Sequence, residues 1–189
     1  MVRNGILCLE GDWDTGLRRR RSVVPVLDLV KSSWNVPFIY RTAGTRDEFR
    51  RVIQEWSKAK YAAYPILYLG VHGGPGYIDI GDEEIPLRDL HEFSGVGKGR
   101  IVHFGSCETL SAPRKELSAF LAKSRFTAIT GFKTEVDWLH SCALEILILD
   151  LLSSRRITSR GMKAFKSHLD KMAGTLVRSL GFHIWQQTR

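Results

Sequence analysis

Pro65-Ile-Leu-Tyr-Leu-Gly-Val71 runs directly into His72-Gly73-Gly74, and Arg100-Ile-Val-His-Phe-Gly105 into Ser106-Cys107-Glu108. Each apolar run has the length and composition of a buried strand, and each stops at a small cluster of chemically active residues. In an open α/β sheet, ligands sit in the crevice beyond the carboxyl ends of the strands. Two neighbouring parallel strands of this kind deliver an imidazole and a thiol to one crevice. A cysteine nucleophile needs a base within hydrogen-bond reach and a backbone amide to hold an oxyanion, so the pair predicts a thiol-based active site.

Working outward, strands and helices alternate along the chain. Gly5–Glu10 and Val36–Tyr40 read as strands, the second at a sheet edge because of Pro37. Thr45 and Glu48 form a capping box before a helix whose apolar positions are Phe49, Val52, Ile53 and Trp56. After His72, Tyr77–Ile80 and Glu84–Ile85 predict a hairpin about Gly81-Asp82, and Pro86 opens a short helix to Phe93. Pro113 starts a helix with Leu117, Phe120 and Leu121 inward, and Phe126–Gly131 is a fifth strand. Asp137 is placed to cap an apolar helix to about Leu152. Ser159 is placed to cap a last amphipathic helix carrying Met162, Phe165, Leu169 and Met172. Residues 181–189 carry no clear pattern. The alternation predicts a single α/β domain over residues 1–189, with a mostly parallel sheet covered by helices on both faces.

Composition narrows the function classes. The 189 residues are 43% hydrophobic and 25% charged, as in a globular domain, and the most apolar window, Leu139–Leu152, is broken by Glu145 and Asp150. It predicts a buried helix and no membrane association. The N-terminus lacks the pattern of a signal peptide, and three scattered cysteines form neither a disulfide framework nor a zinc spacing. A reducing, cytoplasmic setting is the expectation, with no metal and no cofactor, since no glycine-rich phosphate loop opens a helix after a strand. The net charge of +8 is concentrated at Arg18–Arg21. With no interleaved aromatics, that block reads as a solvated loop or a protein-docking patch rather than a nucleic-acid site. Cys8 within a strand and Cys142 on the apolar helix read as packed core, as does His103 mid-strand. His140, one turn into its helix, is expected to pack as well.

The order strand–His72-Gly73, hairpin, short helix, strand–Ser106-Cys107 resembles the caspase-like cysteine peptidases, most closely the CHAT-type domains. Tyr77-Ile-Asp-Ile-Gly-Asp-Glu-Glu-Ile-Pro-Leu-Arg-Asp-Leu90, Ala128-Ile-Thr-Gly-Phe132 through Val136-Asp137, and Ile157-Thr-Ser-Arg-Gly-Met162 are similar to that subgroup's pattern as well. The resemblance implies a three-layer caspase-like fold and a cysteine endopeptidase acting through a thioester acyl-enzyme. His72 is then the general base and acid, Cys107 the nucleophile, and the amides of Gly73 and Cys107 the oxyanion hole. It implies a substrate pocket built from the end of the first strand and the loop after the fifth. Asp12, Asp14, Glu135 and Asp137 stand there, with Glu108 beside the nucleophile, and these carboxylates would favour cleavage after Arg or Lys. The chain departs from the pattern at Gly105, where many relatives carry Asp, Gln or Ala, and at Glu108-Thr109, where many have Ser-Gly or Arg-Gly. The resemblance also suggests a protein or peptide substrate, a regulatory protein partner in trans, and a bacterial stress or antiviral system. The rival readings are an inactive module of the same fold, docking nucleic acid or an acidic protein through its basic patch, and a non-proteolytic thiol hydrolase.

Overall fold

The computed structural model describes residues 3–14 and 21–186. Ile6–Glu10 (β1) starts a parallel sheet that continues with Phe38–Thr42 (β2) and Ile66–Gly70 (β3). Gly73–Gly74 (β4), Tyr77–Ile80 (β5) and Glu83–Pro86 (β6) make a separate antiparallel sheet of three short strands. The main sheet resumes with Ile101–Phe104 (β7), Ala128–Phe132 (β8) and Phe182–Gln186 (β9). Its order is β2-β1-β3-β7-β8-β9, with every pairing parallel except β8–β9. The helices are Val24–Trp34 (α1), Arg46–Trp56 (α2), Arg114–Ser124 (α3), Trp138–Ser153 (α4) and Ser159–Ser179 (α5).

Side-chain alternation along the strands builds two cores, one on each face of the sheet. Leu7, Leu9, Leu67, Leu69, Val102 and Phe104 point to one face, where Phe49, Ile53 and Trp56 of α2 and Leu117, Phe120 and Leu121 of α3 cover them. Ile6, Cys8, Ile66, Tyr68 and Ile101 point to the other, under α1, α4 and α5. The result is a three-layer α/β fold, as the alternation predicts. α4 lies between α1 and α5 and buries Leu144, Ile148, Leu149 and Leu152. That explains its nearly unbroken apolar composition.

Several local expectations shift. β2 begins after Pro37 rather than before it, and it is an edge strand. The segment after Pro86 forms two 3₁₀ turns, Leu87–Asp89 and His91–Phe93, instead of one short helix. Thr158, not Ser159, caps α5 by accepting from the Gly161 N–H at 3.1 Å. Met172 is 50% exposed although the helical spacing placed it inward. Ala173 breaks α5 with φ −141° and ψ 30°, so the apolar stripe through Met162, Phe165 and Leu169 loses its phase there and resumes at Val177. Residues 182–186 form the antiparallel strand β9 that the sequence did not announce. Among the described residues, no helix is long and apolar enough to cross a membrane.

Candidate functional site

The site grows from the pairing of β3 with β7. Ile66 through Leu69 run in register with Ile101 through Phe104, and the Gly105 N–H donates to the Leu69 carbonyl at 2.8 Å. His72 and Cys107 each lie three residues past the last pair of that register, Leu69 and Phe104, on adjacent turns. Their neighbours are packed together. A Cβ on Gly73 would lie 2.7 Å from the Tyr77 carbonyl oxygen, 3.0 Å from Ser106 Cβ and 3.0 Å from Thr109 Oγ1, so only glycine lets the two turns approach this closely.

Thr109 stitches the turns together. Its buried hydroxyl donates to the Tyr77 carbonyl at 3.0 Å and shares a 2.6 Å hydrogen bond with the equally buried Ser106 hydroxyl. One bond crosses to the hairpin that follows His72, and the other holds the residue before Cys107. Between them, Glu108 adopts a left-handed conformation (φ 53°) that non-glycine residues seldom take. Its N–H donates to the Thr134 carbonyl at 3.3 Å, which ties the loop after β8 to the Cys107 turn. Cys107 is half-buried, and among the described residues its N–H donates to no backbone carbonyl. That donor is therefore available for an oxyanion. In the hairpin ladder the Asp79 N–H donates to the His72 carbonyl at 2.9 Å, and Gly73 stands opposite Ile78, one position on. Antiparallel pairs alternate between hydrogen-bonded and non-bonded positions, so the Gly73 N–H turns away from β5.

His72 is held from a direction that sequence reasoning missed. Its exposed imidazole places Nε2 2.9 Å from the Trp13 carbonyl oxygen and packs edge-on to the Trp13 ring, with centroids 5.1 Å apart. A carbonyl can only accept, so Nε2 carries a proton, and in the neutral imidazole the lone pair then sits on Nδ1. That tautomer presents a base. The imidazole hydrogen-bonds to Trp13 and not to the Cys107 thiol among the described residues. Catalytic contacts of this kind commonly tighten only around substrate. Burial, with the Glu84 carboxylate, raises the pKa of Asp79 against the opposing pull of the His72 imidazole.

The remaining predicted residues lie on the loops that follow β1 and β8 and differ in their commitments. Asp12 is exposed, one position before Trp13. Asp14 accepts from the Arg21 N–H at 3.1 Å and pairs with the Arg21 guanidinium, which also stands over the Trp138 ring. Glu135 is exposed, next to the Thr134 that receives Glu108. Asp137 caps α4, accepting from the Leu139 and His140 N–H groups at 3.0 Å each, and these bonds hold its carboxyl below the usual range. His140 faces solvent beside Asp137 at 3.4 Å instead of packing. Of the basic block Arg18–Arg21, only Arg21 lies within the described residues.

The other thiols are poor nucleophiles. Cys8 is fully buried, and desolvation pushes its pKa well up. Cys142 is half-buried, and desolvation together with Glu145 pushes it to about 12. His103 is fully buried, as expected of a core residue. Its Nδ1 pairs with the Thr130 hydroxyl at 3.1 Å, while Nε2 stays 3.6 Å from Glu145, which takes the Tyr68 hydroxyl at 2.6 Å. This polar cluster lies under the nucleophile strand and explains Gly105. A Cβ there would meet Tyr68 Cε2 at 2.8 Å and Glu145 Oε1 at 3.0 Å. Among the described residues, no group of three His, Cys, Asp or Glu side chains is arranged to hold a metal ion.

Residue for residue, the arrangement offers a base of fixed tautomer, a half-buried thiol at the end of the neighbouring strand, and free amide donors. No curated protein matches the chain. The model of a family of unknown function (DUF6642) matches residues 3–186, and the chain belongs to that family.

Proposed function

We propose that the protein is a cysteine endopeptidase working through a His72–Cys107 dyad. The observation that carries this reading is the bond from His72 Nε2 to the Trp13 carbonyl, because in the neutral imidazole it leaves Nδ1 as the free base, on the turn after β3, while Cys107 stands on the turn after the neighbouring strand β7. In the first half-reaction His72 Nδ1 takes the thiol proton, and the sulfur attacks the peptide carbonyl carbon. The oxyanion accepts from the Cys107 and Gly73 N–H groups. His72 then returns the proton to the departing amine, leaving a thioester. In the second, Nδ1 removes a proton from water, the hydroxide attacks the thioester carbonyl, the C–S bond breaks as the Cys107 sulfur takes the proton back from His72, and the acid product departs.

Asp12 and Glu135 are exposed and make no hydrogen bond or ion pair among the described residues, whereas Asp14 is paired with Arg21 and the also exposed Asp137 caps α4. A preference for Arg or Lys before the cut bond therefore rests on Asp12 and Glu135. The three-layer fold, the mostly parallel sheet and the hairpin after His72 agree with the caspase-like resemblance, which also suggests control by a partner in trans, and the three scattered free cysteines suggest a cytoplasmic setting. The test is cleavage of a peptide library by the wild type, Cys107→Ala and His72→Ala, with mass detection of a thioester on Cys107. The reading expects turnover and an acyl adduct in the wild type alone. Salt-sensitive binding of an acidic protein or oligonucleotide, with no adduct under any condition, would favour the inactive binding module instead.

A further inference from the structure

We infer that Glu10 is a positioning residue for the imidazole, acting through Trp13; as a role in catalysis this rests on the dyad reading above. Glu10 ends β1 and is only 2% exposed. A buried carboxylate is unfavourable unless both oxygens are fully hydrogen-bonded. Here each oxygen has two donors. Oε1 accepts from the Trp13 indole N–H at 2.6 Å and the Val23 N–H at 2.7 Å, and Oε2 from the Ser22 hydroxyl at 2.7 Å and the Tyr40 hydroxyl at 2.6 Å.

The four donors are not equivalent in consequence. Val23 and Ser22 fasten the start of α1, and Tyr40 fastens the neighbouring strand β2. Trp13 alone leads onward to His72. Its side chain is gripped by Glu10 at one edge and by the Trp138 ring, 4.8 Å away, at another. Its backbone carbonyl is the acceptor of the His72 Nε2 proton. Fixing the indole fixes the residue, and with it the carbonyl that selects the imidazole tautomer. A loop carbonyl without such an anchor would wander by more than a hydrogen bond tolerates.

The experiment follows the His72 ring N–H in ¹⁵N-histidine-labelled protein, assigned by its loss in His72→Ala. Its exchange rate with water reports the bond to the Trp13 carbonyl and does not require turnover. Trp13→Phe keeps the carbonyl but removes the indole donor together with part of the ring that packs on His72 and Trp138, so exchange should accelerate by about tenfold or more. Glu10→Gln leaves that packing in place and replaces only the charged acceptor of the indole, so exchange should accelerate here too, whereas Tyr40→Phe, which removes a different Glu10 partner, should leave the rate within about twofold. Labelling of Cys107 by a peptide warhead, measured in parallel, should fall with the accelerated exchange. If folded Trp13→Phe exchanges as slowly as the wild type, Glu10 is a loop anchor only and the inference is overturned. Faster exchange in Trp13→Phe with no labelling of Cys107 in any variant would uphold the positioning while removing the peptidase reading.

Discussion

Thr109→Val isolates the contact that joins the two halves of the candidate site. Valine keeps the branched shape, so the change removes one hydroxyl and little volume. That hydroxyl is fully buried and serves the Tyr77 carbonyl and the Ser106 hydroxyl, itself only 1% exposed. Leaving a buried polar group without its partner costs about 1–3 kcal/mol. With two groups affected and some relaxation, the expected loss is about 2–4 kcal/mol, a large part of a typical stability of about 5–15 kcal/mol. For a domain of this length, that corresponds to a fall of about 5–15 °C in Tm. The turn holding Cys107 would also drift from the hairpin following His72, so labelling of the thiol should slow by about tenfold or more. Urea unfolding gives the stability, and the labelling rate is measured where both proteins are folded. Thr109→Ser, which keeps the hydroxyl, should recover most of both. A Thr109→Val protein within about 0.5 kcal/mol of the wild type, with an unchanged labelling rate, would refute the argument that this hydroxyl couples the turns.

Other substitutions probe the same frame. Gly105→Ala should destabilise by about 1–3 kcal/mol in urea, because its Cβ would press on Tyr68, Glu145 and the Leu69 carbonyl at 2.8–3.0 Å. Glu108→Gly should stabilise by up to about 1 kcal/mol, since glycine takes the left-handed geometry without the steric penalty that outweighs its extra chain entropy; a clear destabilisation in the same assay would show that the Glu108 side chain makes a compensating contact. His183 is held down to about 4, from 6.5, by burial and by Lys133, Lys166 and Arg114. Its folded pKa lies below the unfolded one, so stability should fall as pH drops from about 6.5 towards 4, where the unfolded chain gains a proton that the folded one refuses. His183→Gln should flatten that limb in thermal melts at pH 7 and 4.5.

The elements that carry the dyad are legible from residues alone because their signals are local. β3 and β7 are short apolar runs ended by glycine and polar clusters, and Thr45 caps α2 by accepting from the Glu48 N–H, while the Glu48 carboxylate reaches one residue beyond the reciprocal box bond, to the Gly44 N–H. The features that complete the site are not local. The partner of His72 is the main-chain carbonyl of Trp13, an atom that every residue has, so no residue type announces it. Glu10 offers a faint signal, an acid closing an otherwise apolar strand, but its four donors come from three separate segments. β9 has a mixed Phe-His-Ile-Trp-Gln run and exists through its pairing with β8, a contact of high sequence separation. Thr158 and Ser159 carry neighbouring hydroxyls, so residue type alone places the α5 cap one position too late, at Ser159, and the break at Ala173 has no signature in the helical spacing that put Met172 inside.

The central claim is that His72 activates Cys107 selectively among three thiols. The direct measurement is peptide mass mapping after brief exposure to a thiol-reactive peptide warhead ending in Arg or Lys, across pH, for the wild type, His72→Ala and Cys107→Ala. The account predicts an adduct on Cys107 in the wild type. It predicts about a hundredfold slower labelling in His72→Ala, as expected for loss of a general base. Nothing should appear on Cys8 or Cys142, whose burial holds them protonated. Labelling of Cys107 at the same rate with and without His72, or equal labelling of all three cysteines, would contradict it.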